Sequence, residues 1–293
     1  MKRYIGEFCL MLTAAIWGSG FVASAVALEH YTPYQILAIR FMIGTILLSI
    51  VFMRRLKNIT KSTVLKGIVL GAFLYIAFAL QTVGLQFTTP SKNAFLTAVN
   101  VVIVPFIGFV LYKKKIDKFE LLGAVLAIIG VGVMSLQLSG DINIGDLLTL
   151  FCAVGFAFQI FYTSLFVQDE DPVLLTLTQM LTAAILGMIV MFIRGEYTFS
   201  FNIGSSFSVI YLGIFSTTIA YLLQTIAQRF TNATKTAIIL STESVWGMLF
   251  SIILIKEQIT SRMLIGAIII LLAILISETK LSFLTKEKAI RNQ

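Results

Sequence analysis

Glu243 stands in the run IILSTESVWGMLF, residues 238–250, whose other members are apolar or weakly polar. The flanking basic residues are Lys235, eight positions before it, and Lys256, thirteen after it. In a helix rising about 1.5 Å per residue those separations are about 12 and 20 Å, so the carboxyl group cannot reach either end. A charge at a helix centre costs about 2.5–3.5 kcal/mol on insertion scales and is rarely left against lipid. Two chemistries suit such a group: neutralising a cationic part of a substrate, or exchanging a proton. The structural alternative is a protonated carboxyl hydrogen-bonded to its neighbours.

Other polar residues occur at similar depth. Asn93, Thr97 and Asn100 follow an i, i+4, i+7 spacing, and Thr236 continues the face of Glu243, so each helix carries one polar stripe best turned inward. Gln81, Gln159, Tyr162 and Gln224 are candidates either for substrate contact or for helix-to-helix hydrogen bonds. Trp17, in IWGSGF, is too deep for an interfacial belt and forms cavity wall or core. Arg40 is a second buried charge, expected to have a structural role. The serine of WGSGF suggests an intramembrane hydrolase, but His30, the single histidine, falls in a loop. Cys9 and Cys152 lack metal-ligand spacing, and no phosphate-binding glycine loop occurs, so neither a metal nor any other cofactor is expected.

The elements that hold these residues are membrane spans. The 293 residues are 58% hydrophobic and 12% charged, with a mean hydropathy of +0.95, more apolar surface than a soluble domain can bury. Ten apolar runs cover 5–28, 33–53, 66–86, 92–112, 119–137, 145–166, 173–193, 208–228, 235–255 and 262–277. The partners expected are therefore the lipid bilayer, a small-molecule substrate and a coupling proton. The formal charge of +8 belongs to span ends and not to nucleic-acid binding. With the N-terminus in the cytoplasm, the inner side collects Lys2, Arg3, residues 54–66, residues 113–118, Arg229, Lys235 and the basic tail. The outer side keeps Lys92, Arg194, Lys256 and Arg262, which places both termini on the cytoplasmic side of a cell membrane. Lys92 and Lys235 read as snorkelling anchors, and the acidic run VQDEDP, 167–172, as a solvated turn.

The chain also repeats itself. An offset of 139 sets Gly6-Glu7 on Gly145-Asp146 and Pro33 on Pro172. An offset of 143 sets Gln81-Thr82 on Gln224-Thr225, Lys92 on Lys235, Asn100 on Glu243 and Gly123-Ala124 on Gly266-Ala267. Five spans per half is an odd number, so the second half, 140–293, enters the membrane from the face opposite to the first, 1–139. The expected fold class is an all-α polytopic membrane protein, with two inverted five-helix repeats around a central cavity. Repeats of this kind serve secondary carriers, whose site lies near the midplane between the copies. A channel or a structural membrane protein is the alternative function.

The stretches AAIWGSGFVASAV, YTPYQILAIRFMIGTILL and QRFTNATKTAIILSTESVWGMLFSIILIKEQITSRMLIGAIIILL resemble the two repeats of the drug/metabolite transporter superfamily, EamA-type branch. The resemblance implies a ten-helix fold around a central cavity and export or uptake, without ATP, of small metabolites, amino acids or amines among them. It matches Glu243 to an acid of the ninth helix and Glu257 to the acid closing the segment after it. Ser244 replaces a proline that commonly follows the first of these acids, and Lys114 replaces the second acid in the first repeat.

Overall fold

The computed structural model describes residues 2–113, 115–135, 143–230, 236 and 239–279. Lys114 and Lys235 lie outside them. Within them the chain is helical, without strands: α1 (Lys2–Leu28), α2 (Pro33–Val51), a 3-10 turn (Met53–Asn58), α3 (Lys61–Leu85), α4 (Pro90–Ala98), α5 (Asn100–Tyr112), α6 (Lys118–Ser135), α7 (Ile144–Phe166), α8 (Pro172–Ile193), α9 (Ile203–Tyr211), a π-helical segment (Leu212–Ile219), α10 (Ala220–Gln228), α11 (Glu243–Leu254) and α12 (Ser261–Thr279).

Sequence chemistry sets the helix starts. Thr32, Thr60, Thr89, Asn143, Asp171 and Asn202 each accept a hydrogen bond from a backbone N–H two or three residues on, satisfying donors the first turn leaves free. Pro33, Pro90 and Pro172 follow three of these caps, where a missing N–H costs nothing.

Eight helical stretches are long and apolar enough to cross a membrane: Ile5–Leu28, Pro33–Val51, Lys61–Leu85, Pro90–Tyr112, Lys118–Ser135, Ile144–Phe166, Pro172–Ile193 and Ile203–Gln228. Two shorter apolar helices, Ile239–Leu254 and Ser261–Ser277, follow. The expected ninth span, 235–255, begins outside the described residues, which shortens what can be measured of it. α3 starts five residues earlier than hydropathy suggests, because the Thr60 cap winds a polar first turn ahead of the apolar stretch. Polarity is turned inside out relative to a soluble protein. Ile128, Val110, Ile193 and Ile253 face outward, whereas Arg40, Asn93, Asn100, Gln159, Gln224 and Glu243 are buried. This is a multi-pass membrane protein.

The principal pairings are α6 with α12, α2 with α8, α3 with α7, α3 with α8, α1 with α11, and α1 with the α9–α10 stretch. Small residues permit close approach, between α6 and α12 among other places. A Cβ on Gly123 would lie 2.6 Å from the Ser277 side chain, and one on Gly266 would lie 2.7 Å from that of Met134. These two glycines are partners at the offset of 143, and both serve the α6–α12 contact.

Two backbone landmarks recur at that same offset. α4 gives way to α5 at Val99, and α11 begins after Thr242. At both, i to i−3 hydrogen bonds tighten the turn, from Val102 N–H to the Val99 carbonyl at 3.0 Å and from Val245 N–H to the Thr242 carbonyl at 3.1 Å. Past both helices stands a lysine in the left-handed region, Lys113 at φ 52° and Lys256 at φ 55°. The interruption at Thr242 has no proline. Thr242 and Ser244 instead donate their hydroxyls to the carbonyls of Ile239 and Ser241, at 2.7 and 2.8 Å, which competes with the helical ladder.

Polar contacts between connections fall into two sets. In one, residues 55–66 meet 169–171: Arg55 pairs with Asp171 at 3.0 Å and Lys66 with Glu170 at 2.8 Å. Ser62 and Thr63 also donate to Glu170, so VQDEDP is a clasp and not a free solvated turn. In the other set Thr32 donates to Glu196, Gln35 to the carbonyls of Glu196 and Thr198, and Ser91 to Glu257. Lys92, expected as a snorkelling anchor, belongs there too and pairs at 3.3 Å with Asp146, which also accepts from Thr88. His30 is exposed and meets Ser205.

Candidate functional site: a polar central cavity

Between the helices lies a cavity with polar and aromatic walls. α1 contributes Trp17, Gly20, Phe21 and Ser24, and α3 contributes Phe78, Gln81, Thr82 and Leu85. Asn93, Thr97 and Asn100 come from α4 and α5, Phe156, Gln159 and Ile160 from α7, Ser216 and Tyr221 from the π segment and α10, and Glu243 from α11. α2 adds one residue, Arg40.

The two helix interruptions place Asn100 and Glu243 as first residues of α5 and α11. Both are almost wholly buried and both line the cavity. The Asn100 side-chain oxygen has no hydrogen-bond partner among the described residues. Glu243 forms no ion pair with Arg40, although the two share the cavity.

The remaining polar wall is tied together. Gln81 donates to Thr97 at 3.0 Å, Asn93 donates to Thr149 at 2.8 Å, and Gln159 donates to Thr163 and Gln179 at 3.1 and 3.0 Å. Trp17 donates its indole N–H to the Ser216 carbonyl at 3.0 Å. It also packs against Tyr221 with ring centres 4.9 Å apart. Phe78 joins them, 5.0 Å from Phe156 and edge-on to it.

Arg40 is held from two directions. Its Nε donates to Thr217 Oγ1 at 2.8 Å and its Nη2 to Ser216 Oγ at 3.2 Å. Its guanidinium lies 4.2 Å from the centre of the Phe78 ring, a cation–π arrangement. Both hydroxyls belong to the π-helical segment, where Thr218 Oγ1 reaches back five residues to the Gly213 carbonyl at 2.7 Å. Such wide turns inside α-helices often accompany functional sites.

Of the candidates read from the sequence, Trp17, Gln81, Asn100, Gln159 and Glu243 meet in this cavity. Tyr162 does not line it. Its ring stacks with Phe73 at 5.8 Å and Phe166 at 5.4 Å. Gln224 is fully buried elsewhere in the bundle, with no hydrogen-bond partner for either side-chain polar atom among the described residues. The sequence did not identify Ser216, Phe78, Phe156 or Tyr221 as lining residues. A serine and three aromatics within apolar runs carry no signal of depth or direction.

Family comparison assigns the fold a name. The model of the EamA-like transporter family matches the chain twice, over residues 4–136 and 143–279. The chain belongs to the EamA-like transporter family. An uncharacterized transporter of Archaeoglobus fulgidus is 32% identical over 277 residues, 94% of this chain and 86% of that protein. The uncharacterized transporter YyaM of Bacillus subtilis is 24% identical over 287 residues, 93% of each chain. One solved crystal structure superposes with a TM-score of 0.68 at 16% identity, covering 94% of this chain and 98% of the other. That last likeness concerns fold alone. The two matches give this EamA-like transporter a tandem family organisation, with a boundary between residues 136 and 143.

Proposed function

We propose that this EamA-like chain is a secondary carrier of the cell membrane, moving small metabolites, amino acids or amines among them, by alternating access. Ten helices form two oppositely oriented repeats, 1–139 and 140–293, with both termini in the cytoplasm. The central observation is that Asn100 and Glu243, partners at an offset of 143 residues, both begin interrupted helices and both line one cavity. Discontinuous helices meeting near the midplane are how carriers of this architecture hold substrate. The pairings also support the reading, because exchanging the halves turns α3–α7 into α1 with the α9–α10 stretch, and α6–α12 into itself. So do the clasps: the start of α7 meets residues 87–92, whereas the end of α7 and the start of α8 meet residues 55–66.

Glu243 and Asn100 form the central polar pair, with Trp17, Gln81 and Gln159 as further substrate contacts. Glu243 serves either a cationic substrate group or a coupling proton. The test is counterflow in liposomes containing the purified chain, screened against amino acids, amines and nucleotide-related metabolites with and without a pH gradient. A carrier concentrates labelled external substrate against unlabelled internal substrate, and Glu243→Gln removes the response to the pH gradient. Flux without counterflow would replace the carrier with a channel. Flux indifferent to both pH and Glu243→Gln would remove the proposed role of the acid.

A further inference from the structure

α1 faces two spaces. Trp17, Gly20, Phe21 and Ser24 line the central cavity. Ser19, Val22, Ala23 and Val26 line a second hollow. Each set follows an i, i+3, i+4, i+7 spacing, and the sets are two residues out of step, a rotation of about 200°, so the hollow lies on the side of α1 opposite to the cavity. Its walls are Phe207 and Tyr211 of α9, with Phe250, Leu254 and Ile255 at the end of α11.

The helices make this groove by diverging. A Cβ on Gly18 would lie 2.4 Å from the Trp246 side chain and one on Gly20 would lie 2.9 Å from the Ser216 hydroxyl, so α1 touches both α11 and the π segment at that level. Farther along α1, Ser205 ties α9 to it by donating to the Val26 carbonyl at 2.9 Å, and the groove is left between α9 and α11. Ser19 and Tyr211 spend their hydroxyls on each other, and Phe207 and Leu254 at the rim are 70% and 61% exposed. In a membrane protein such a rim stands in hydrocarbon, so the groove offers apolar contact to an acyl chain and little to a hydrated solute. Its floor from Ser19 to Val26 runs about 10 Å, most of the roughly 15 Å hydrocarbon depth of one leaflet.

A charge marks the mouth. Lys256 directly follows the lining residue Ile255, is exposed, and turns the chain out of α11 at φ 55°. It takes part in none of the ion pairs among the described residues. A lysine at the end of a span reaches headgroup level, where phosphates lie. Glu29 and His30, exposed just past the end of α1, keep this end of the bundle from being uniformly basic, so Lys256 suits a single phosphate better than a broad anionic surface.

We infer that this groove is a phospholipid site, with one acyl chain lying along α1 between α9 and α11 and the phosphate on Lys256. The inference does not depend on the carrier reading. The seated chain backs the helix whose other face lines the central cavity.

The test gives the purified full-length chain, in detergent, an equimolar phosphatidylglycerol that carries a diazirine midway along one acyl chain. After irradiation the adducts are mapped by peptide mass spectrometry. Adducts at Val22, Val26, Phe207 and Leu254 are expected at least fivefold above those at Ile128 and Ile189, which are exposed on α6 and α8. Unlabelled phosphatidylglycerol should displace the groove adducts, and a diacylglycerol with the same chains, lacking the phosphate, should need at least fivefold more. Ala23→Phe, which fills the floor, should lower the groove adducts and leave those at Ile128 unchanged, and Lys256→Gln should erase the preference for phosphate. Adducts spread evenly over the outward faces overturn the inference, as does equal displacement by the diacylglycerol. Both of those readings come from the unmutated chain, so the inference stays open to refutation even where a variant fails to fold.

Discussion

Glu170 is a charge resolved by its neighbours, in contrast to Glu243. The Lys66 ammonium at 2.8 Å, followed by the hydroxyls of Ser62 and Thr63 at 2.6 Å each, holds its carboxyl down to about 2, from an ordinary value of 4.5. Because the folded value lies below the unfolded one, this stabilisation is complete above about pH 4.5 and is lost as pH falls toward 2. Glu170→Gln should cost about 1 kcal/mol at neutral pH, since the group sits in a partly exposed network. It should also flatten the fall of Tm across that acidic window, as measured by thermal unfolding in detergent. At the centre, Asn100→Ala should reduce counterflow several-fold with little change in Tm, since its amide oxygen has no described partner to lose. Glu243 was legible in the sequence because an acid far from any cation in an apolar run has few places to go. The setting of Arg40 was not, because its partners lie 176 and 177 residues away and are reached only through a π segment that no local motif announces.

Among the elements, the α6–α12 contact is demanding in shape from both sides. Leucine at Gly123 would drive a side chain into Ser277 and the Ala273 carbonyl, and leucine at Gly266 would drive one into Met134 and the Gly130 carbonyl. Either substitution should destabilise by about 1–3 kcal/mol, seen as a lower Tm and reduced folded yield. Alanine at either site should lie between leucine and the natural residue. The capped and proline-led helix starts were readable from Thr32-Pro33, Thr89-Pro90 and Asp171-Pro172, where local chemistry alone decides. The interruption after Thr242 was not, because the resemblance tied it to a proline that Ser244 replaces. The hydroxyls of Thr242 and Ser244 bring about the interruption by another route.

At the scale of the whole molecule, the two clasps define opposite ends of the bundle. Single cysteines at Asn58 and at Ser200, in a chain with Cys9 and Cys152 replaced by serine, should react with an impermeant maleimide from opposite sides. The proposed orientation gives Asn58 inside and Ser200 outside, and labelling of both from one side would end the alternating topology. Hydropathy marked the apolar helices, eight of them long enough to cross a membrane among the described residues, and paired positions such as Gly123 and Gly266 marked the two halves that the family matches separately. How the halves interlock was not legible, since pairing depends on contacts far apart in the chain. The interruptions at Val99 and Thr242 have one more consequence. A helix in a bilayer must satisfy its amide groups within the protein, and at both breaks i to i−3 bonds do so. On the proposed carrier reading each break is then a joint that keeps its bonds while the angle between its two helical pieces changes, so bending there would tear no ladder.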